Sequence, residues 1–248
     1  MLQLSKSYKE VRGCDLNNGV FSFEDKKNSL IKLTKQDKDT VFYFVERGET
    51  PVKFEETLNV CVCLTEDNIA LLGHECYSPI LCKSKDVRAS DLLYIFLSSK
   101  NEISKCVCYV YDMKRSFGGD DEEVVRFYDQ CISTAKYALT LCYETNLIED
   151  GSGFYNAKIQ FGLITENYEQ NSLRNKIDKL RIKPINLDSA FGKKMLAQGR
   201  QNATILNILQ QFLNKKIKFN GKLLDLDVRI MDNSTHTMSL KFVDEHIA

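Results

Sequence analysis

Asp91, Asp112 and Lys114 are the residues of this chain whose types and spacing point most directly to chemistry. Asp91 precedes an apolar run, Leu92 to Leu97, and a turn through Ser98–Ser99–Lys100–Asn101–Glu102 follows. A second run, Cys106 to Tyr111, ends in Asp112–Met113–Lys114. If the two runs form an antiparallel hairpin centred between Asn101 and Glu102, opposed residues sum to about 203, which sets Asp91 across from Asp112. Opposed side chains share a face, and so do residues two apart, so Lys114 joins the pair. Two carboxylates at that separation repel unless protonated or bridged by a cation, and a hard ion such as Mg²⁺ prefers oxygen ligands. A neighbouring lysine orients or helps deprotonate an attacking water and offsets charge building on a phosphoryl oxygen. The chemistry this trio suits is hydrolysis of a phosphodiester.

Asp91, twenty intervening residues, Asp112–Met113–Lys114 on a strand, a helix carrying Gln130 and a further strand together resemble the PD-(D/E)XK nuclease core, over roughly residues 88 to 166. The resemblance implies a restriction-endonuclease-like fold in which Asp91 and Asp112 are metal ligands, Lys114 is the catalytic lysine and Gln130 braces the site. It also implies Mg²⁺ or Mn²⁺ as cofactor and DNA, more than RNA, as substrate, in a bacterial or phage defence setting. The family's upstream glutamate has Glu56 as its candidate here if residues 50 to 64 are helical, with Glu55 beside it and Glu75 as the rival. The alternative is a nuclease-fold subunit that cuts nothing and binds nucleic acid or a partner protein. A homodimer is a further expectation.

The elements that must position the trio follow from periodicity. The segment from 121 to 145 carries an apolar stripe at Val124, Phe127, Tyr128, Cys131, Ile132, Ala135, Leu139 and Cys142, with Asp120 as cap and Asp121, Glu122 and Glu123 on the positive end of the helix dipole. Gln130 lies beside that stripe. Gly151–Ser152–Gly153 then turns the chain into Ala157–Thr165, a β-prone run that reads as a strand parallel to Cys106–Tyr111. Upstream, Val20–Phe23, Ser29–Thr34 and Thr40–Glu46 read as strands of a small antiparallel sheet, and Asn68–Leu72 as the first core strand. Residues 50 to 64 fit two periods: Thr50–Pro51 is a good helix start, yet Asn59–Val60–Cys61–Val62–Cys63 is β-prone. Downstream, a helix is expected within Asn167–Leu180, a second helical pattern over Gly192–Phe219 broken at Gly199, and a closing hairpin of Leu223–Met231 and Thr237–Phe242. The fold class expected is mixed α+β or α/β, with a β-rich extension over 1–49, a nuclease-like core over 50–170, and a basic helical segment with its hairpin over 171–248.

Composition sets the limits. At 248 residues, 43% hydrophobic and 27% charged, the chain is long enough for a sizeable core. It shows no bilayer-length apolar run and no signal-peptide core, so a cytoplasmic protein without membrane contact is expected. Nine cysteines, an odd number, argue against a disulfide framework. Cys61/Cys63 and Cys106/Cys108 instead fit strand alternation burying small thiols. A zinc set drawn from Cys61, Cys63, His74, Cys76 and Cys82 lacks the usual knuckle spacing. The net charge is zero, but residues 172 to 222 hold twelve Lys and Arg against two acids. Lys176, Lys179, Arg181, Lys193, Lys194 and Arg200 in that block are the candidate phosphate-backbone contacts. No P-loop or dinucleotide fingerprint occurs, which excludes the common nucleotide-hydrolase classes.

Overall fold

Leu92 pairs with Tyr111 and Ser98 with Lys105, so opposed residues sum to 203, the register expected from the two apolar runs. Alternation alone fixes this: a slip by one residue would turn every apolar side chain of the hairpin to the other face. The computed structural model describes residues 8–11, 20–22, 29–33, 40–47, 55–62, 64, 68–76, 89–98, 105–144, 157–232 and 234–242. Among them are twelve strands and four helices: β1 (Tyr8–Val11), β2 (Val20–Ser22), β3 (Ser29–Leu33), β4 (Thr40–Arg47), β5 (Glu55–Val62), β6 (Asn68–His74), β7 (Leu92–Ser98), β8 (Lys105–Phe117), α1 (Asp121–Glu144), β9 (Lys158–Tyr168), α2 (Gln170–Ile182), α3 (Ala190–Ala197), α4 (Asn202–Leu213), β10 (Lys216–Phe219), β11 (Lys222–Ile230) and β12 (Thr237–Phe242).

The architecture is mixed α+β. Eight strands form one sheet in the order β1-β3-β6-β7-β8-β9-β11-β10, and four form a second in the order β12-β5-β4-β2. β6, β7 and β8 run antiparallel in turn, and β9 lies parallel to β8 after the α1 crossover. Both faces of the large sheet are covered, which is why Leu92 to Phe96 is an unbroken buried apolar run rather than an alternating one. On one face, Leu93, Ile95, Cys106, Cys108 and Val110 pack with buried residues of α1, α2 and α4. On the other, Leu92, Tyr94, Tyr111 and Met113 pack with Phe42, Leu58, Val60, Val62 and Leu240 of the small sheet. Phe117, Phe127 and Phe212 pin β8, α1 and α4 together, with ring centroids 5.0 and 5.3 Å from Phe117. Each such fully buried ring contributes about 1.5–3 kcal/mol.

α1 begins where expected: the Glu122 N–H donates to Asp120 Oδ1 at 2.9 Å, a side-chain cap on the first turn. Gly162 is required by packing. It sits opposite Tyr111 on β9, and a Cβ there would fall 2.0 Å from the Tyr111 ring, which lies across the strand so that its hydroxyl donates to Asp227 Oδ2 at 2.8 Å.

Four expectations are corrected. Residues 55–62 are a strand, so the β-prone Asn59–Val62 stretch outweighs the helix start at Thr50–Pro51, which lies outside the described residues. The N-terminal strands do not make their own antiparallel sheet: β3 joins the large sheet beside β6, while β2 and β4 join the small one. The helical pattern past Gly199 ends at Leu213, and Lys216–Phe219 is a strand paired with β11. Asn220–Gly221 is its turn, both residues at positive φ (46° and 79°), a two-residue hairpin signal that Asn-Gly carries on its face. Finally, β11 and β12 are not a closing hairpin. They part into different sheets, β11 beside β9 and β12 parallel to β5, with one antiparallel bridge, Asp232 to Thr237, at the parting.

Candidate functional site

The polar end of the β7–β8 hairpin lies on the helix-covered face of the large sheet, because Asp112 continues the row of Cys106, Cys108 and Val110. Asp91 and Asp112 face each other across that end and each grips the other's strand. The Asp91 N–H donates to Asp112 Oδ1 at 3.2 Å, and the Met113 N–H donates to Asp91 Oδ2 at 2.6 Å. Lys114 stands over the pair, its Nζ 2.9 Å from Asp112 Oδ2 and also donating to the Met113 carbonyl at 2.9 Å. Asp112 is fully buried and Asp91 is 5% exposed. The three residues expected to converge therefore do so.

α1 holds the segment leading into Asp91 from above. Gln130 Nε2 donates to the Ala89 carbonyl at 3.0 Å, and the Ser90 N–H donates to Thr134 Oγ1 at 2.8 Å. Gln130 and Thr134 are one turn apart on a single helix face. Gln130 thus meets the chain just before Asp91, and its amide donor is spent on backbone. Thr134 was not singled out from the sequence; its place one turn after Gln130 is the signal that would have found it. Cys131, between them, is also buried against the cluster, and burial, followed by the nearby Asp112 charge, pushes its thiol well above the usual range.

Past Lys114 the same strand face carries Ser116, whose hydroxyl donates to Glu169 Oε1 at 2.7 Å. Glu123, in the first turn of α1, is half-buried. Burial raises its carboxyl above the usual range, and the Lys114 and Arg126 charges oppose that rise. Lys114 therefore sits between a fully buried carboxylate and a more open acidic rim.

Three buried side-chain oxygens in this neighbourhood have no hydrogen-bond partner: Ser90 Oγ, Asp112 Oδ2 and Gln130 Oε1. Asp112 Oδ2 is within ion-pair distance of Lys114 Nζ without hydrogen-bond alignment. The donor set is all oxygen, which fits a hard divalent cation and not a soft one. Among the described residues no third His, Cys, Asp or Glu joins Asp91 and Asp112 in a group close enough to share an ion.

Glu56 does not complete the set. It lies on β5 of the small sheet, at the register position opposite Glu46, and that sheet covers the other face of the large one. The helix on which its candidacy depended is a strand. Glu75 follows β6, and its N–H donates to the Asp91 carbonyl at 3.3 Å, so its backbone abuts the site.

No family model, curated protein or solved structure matches this chain. The basic block is partly committed to the fold. Lys176 pairs with Asp121 at 2.7 Å, Lys194 with Glu122 and Arg200 with Asp129, so three of the six candidate phosphate contacts neutralise acids on α1. Arg181 pairs with Asp178 at 3.4 Å within α2, while Lys179 and Lys193 are exposed. Of the zinc set, Cys61 is on β5, and His74 and Cys76 are at the end of β6; Cys63 and Cys82 lie outside the described residues. No helix among the described residues is long and apolar enough to cross a membrane.

Proposed function

We propose that this chain is a metal-dependent phosphodiesterase of the PD-(D/E)XK type acting on DNA, with Asp91, Asp112 and Lys114 as its centre. The observation that carries the reading is the convergence of two buried carboxylates and a lysine ammonium at the end of one hairpin, with Lys114 Nζ 2.9 Å from Asp112 Oδ2. The strand, strand, helix, strand order around them supports it, as does the parallel return of β9 beside β8. Asp91 and Asp112 would hold Mg²⁺ or Mn²⁺, which supplies a Lewis acid for the phosphoryl oxygens and a more acidic bound water. The residues' own work is then separable. Backbone N–H groups at Asp91 and Met113 fix one oxygen of each carboxylate. Lys114 offsets phosphoryl charge, and Gln130 with Thr134 holds the Ala89–Asp91 segment in register. Of the six candidate contacts, the exposed cations Lys179 and Lys193 are the ones left to meet a phosphate backbone.

A second reading rests on a specific observation: both carboxylates are nearly or wholly buried and both are bonded to backbone N–H groups. In that reading the trio is a structural clasp closing the hairpin under α1, within a nuclease-fold subunit that binds nucleic acid or a partner without cutting. Supercoiled plasmid incubated with the full chain and Mg²⁺ or Mn²⁺ separates the two. The first reading expects nicking that falls at least ~100-fold in Lys114→Ala and Asp112→Asn, the scale of losing one transition-state contact. Nicking that survives both changes, or no nicking alongside salt-sensitive DNA binding, overturns it.

A further inference from the structure

The start of β8 and the end of α1 bring together three thiols that the phosphodiesterase reading does not use. Cys106 Sγ lies 3.6 Å from Cys142 Sγ and 4.0 Å from Cys108 Sγ, and all three sulfurs fall within 4.8 Å of one another. Strand alternation places Cys106 and Cys108 on one face, and α1 lays Cys142 over them. All three are buried, Cys106 the least so at 6% exposed. Sulfurs that ligate one soft metal at about 2.3 Å in a trigonal plane stand about 4.0 Å apart, close to the 3.6 and 4.0 Å separations from Cys106 here.

We propose that Cys106, Cys108 and Cys142 form a three-sulfur binding site for a thiophilic monovalent cation, Cu⁺. Thiolate ligands select Cu⁺ and Zn²⁺ among the biological metals. Zn²⁺ takes four ligands in structural sites, and no fourth His, Cys, Asp or Glu joins this group among the described residues. A buried trigonal set suits the lower coordination number.

A second observation points to a cation independently. Cys142 is in the last turn of α1, where the helix carries partial negative charge and where no basic residue is present to complement it. A cation held by Cys142 complements that end of the helix. As the ion enters, each thiol that ligates releases its proton to solvent, so binding weakens as pH falls.

The reduced, metal-stripped full chain is titrated without oxygen with Cu⁺ held by a competing chelator, and the product is read by sulfur-to-metal charge-transfer absorption and X-ray absorption. The expected result is one Cu⁺ per chain with three sulfur neighbours. Cys142→Ser and Cys108→Ser lower the affinity at least ~100-fold, while Cys61→Ser and Cys76→Ser, at distant thiols, leave it unchanged. Circular dichroism checks each variant's folding, and the wild-type stoichiometry and sulfur count stand whether or not a variant folds. Failure of the wild type to hold Cu⁺ against the chelator, retention undiminished in a folded Cys142→Ser, or Zn²⁺ held while Cu⁺ is refused overturns the proposal.

Discussion

One face of β8 and one helix above it carry two unlike clusters: oxygen and ammonium groups at Asp112 and Lys114, sulfurs at Cys106 and Cys108. Cys108 and Asp112 are four residues apart, about 13 Å along a strand. The two clusters differ in what α1 sets over them. Near its middle, Gln130 and Thr134 bond the backbone leading into Asp91 and so fasten a network that needs every member. At its end, Cys142 adds only another thiol, which a small apolar residue replaces at modest cost. The polar end is rigidly specified, and the sulfur end is tolerant unless a metal makes it otherwise.

That contrast breaks most visibly in paired substitutions. Asp112→Ala leaves the Lys114 ammonium without its buried partner and costs about 3–5 kcal/mol in denaturant unfolding. Cys108→Ala at the sulfur end, measured on metal-free protein, costs about 1 kcal/mol because it removes one polarisable atom from a packed site. Comparable losses at the two ends would dissolve the distinction. Thr134→Val tests the role of α1. It strands the Ser90 N–H in a buried position at about 1–3 kcal/mol, and amide exchange at Ser90 should accelerate.

Legibility in the sequence divides along similar lines. The β7–β8 register and the meeting of Asp91, Asp112 and Lys114 were readable because alternation and a short turn are local facts. Gln130 was placed near the site by the helical period, but its bond to Ala89 depends on where α1 docks, which no period encodes. Residues 55–62 satisfied both periods, and sheet pairing with β4 and β12 decided between them. The separation of β11 and β12 was hidden because adjacent apolar runs read as a hairpin whichever sheet each joins. The acids that neutralise Lys176, Lys194 and Arg200 lie far upstream in the chain, so the basic block read as more available than it is. Asn220–Gly221 was the reverse case, a local turn signal for β10 and β11 that the helical reading of Gly192–Phe219 passed over.

A smaller effect sharpens the electrostatics around Lys114. Burial holds the Glu123 carboxyl above the usual range, so its protonated form favours the fold. That contribution is present below the unfolded pKa and is lost as pH rises through the folded value. Glu123→Gln should therefore flatten the stability curve just above the ordinary carboxylate range and raise Tm at neutral pH; an unchanged curve would show that the Lys114 charge cancels burial outright. The smallest effect is expected at the surface: Lys194→Ala, which removes the pair with Glu122, should cost no more than about 1 kcal/mol, and less in high salt.

The most direct test of the central claim is Mn²⁺ binding followed by electron paramagnetic resonance on wild type, Asp112→Asn and Cys142→Ser. The account predicts one Mn²⁺ per wild-type chain, loss of that ion in a folded Asp112→Asn, and full retention in Cys142→Ser. Mn²⁺ held equally by wild type and Asp112→Asn, or by neither, would contradict it and leave the hairpin end as a clasp.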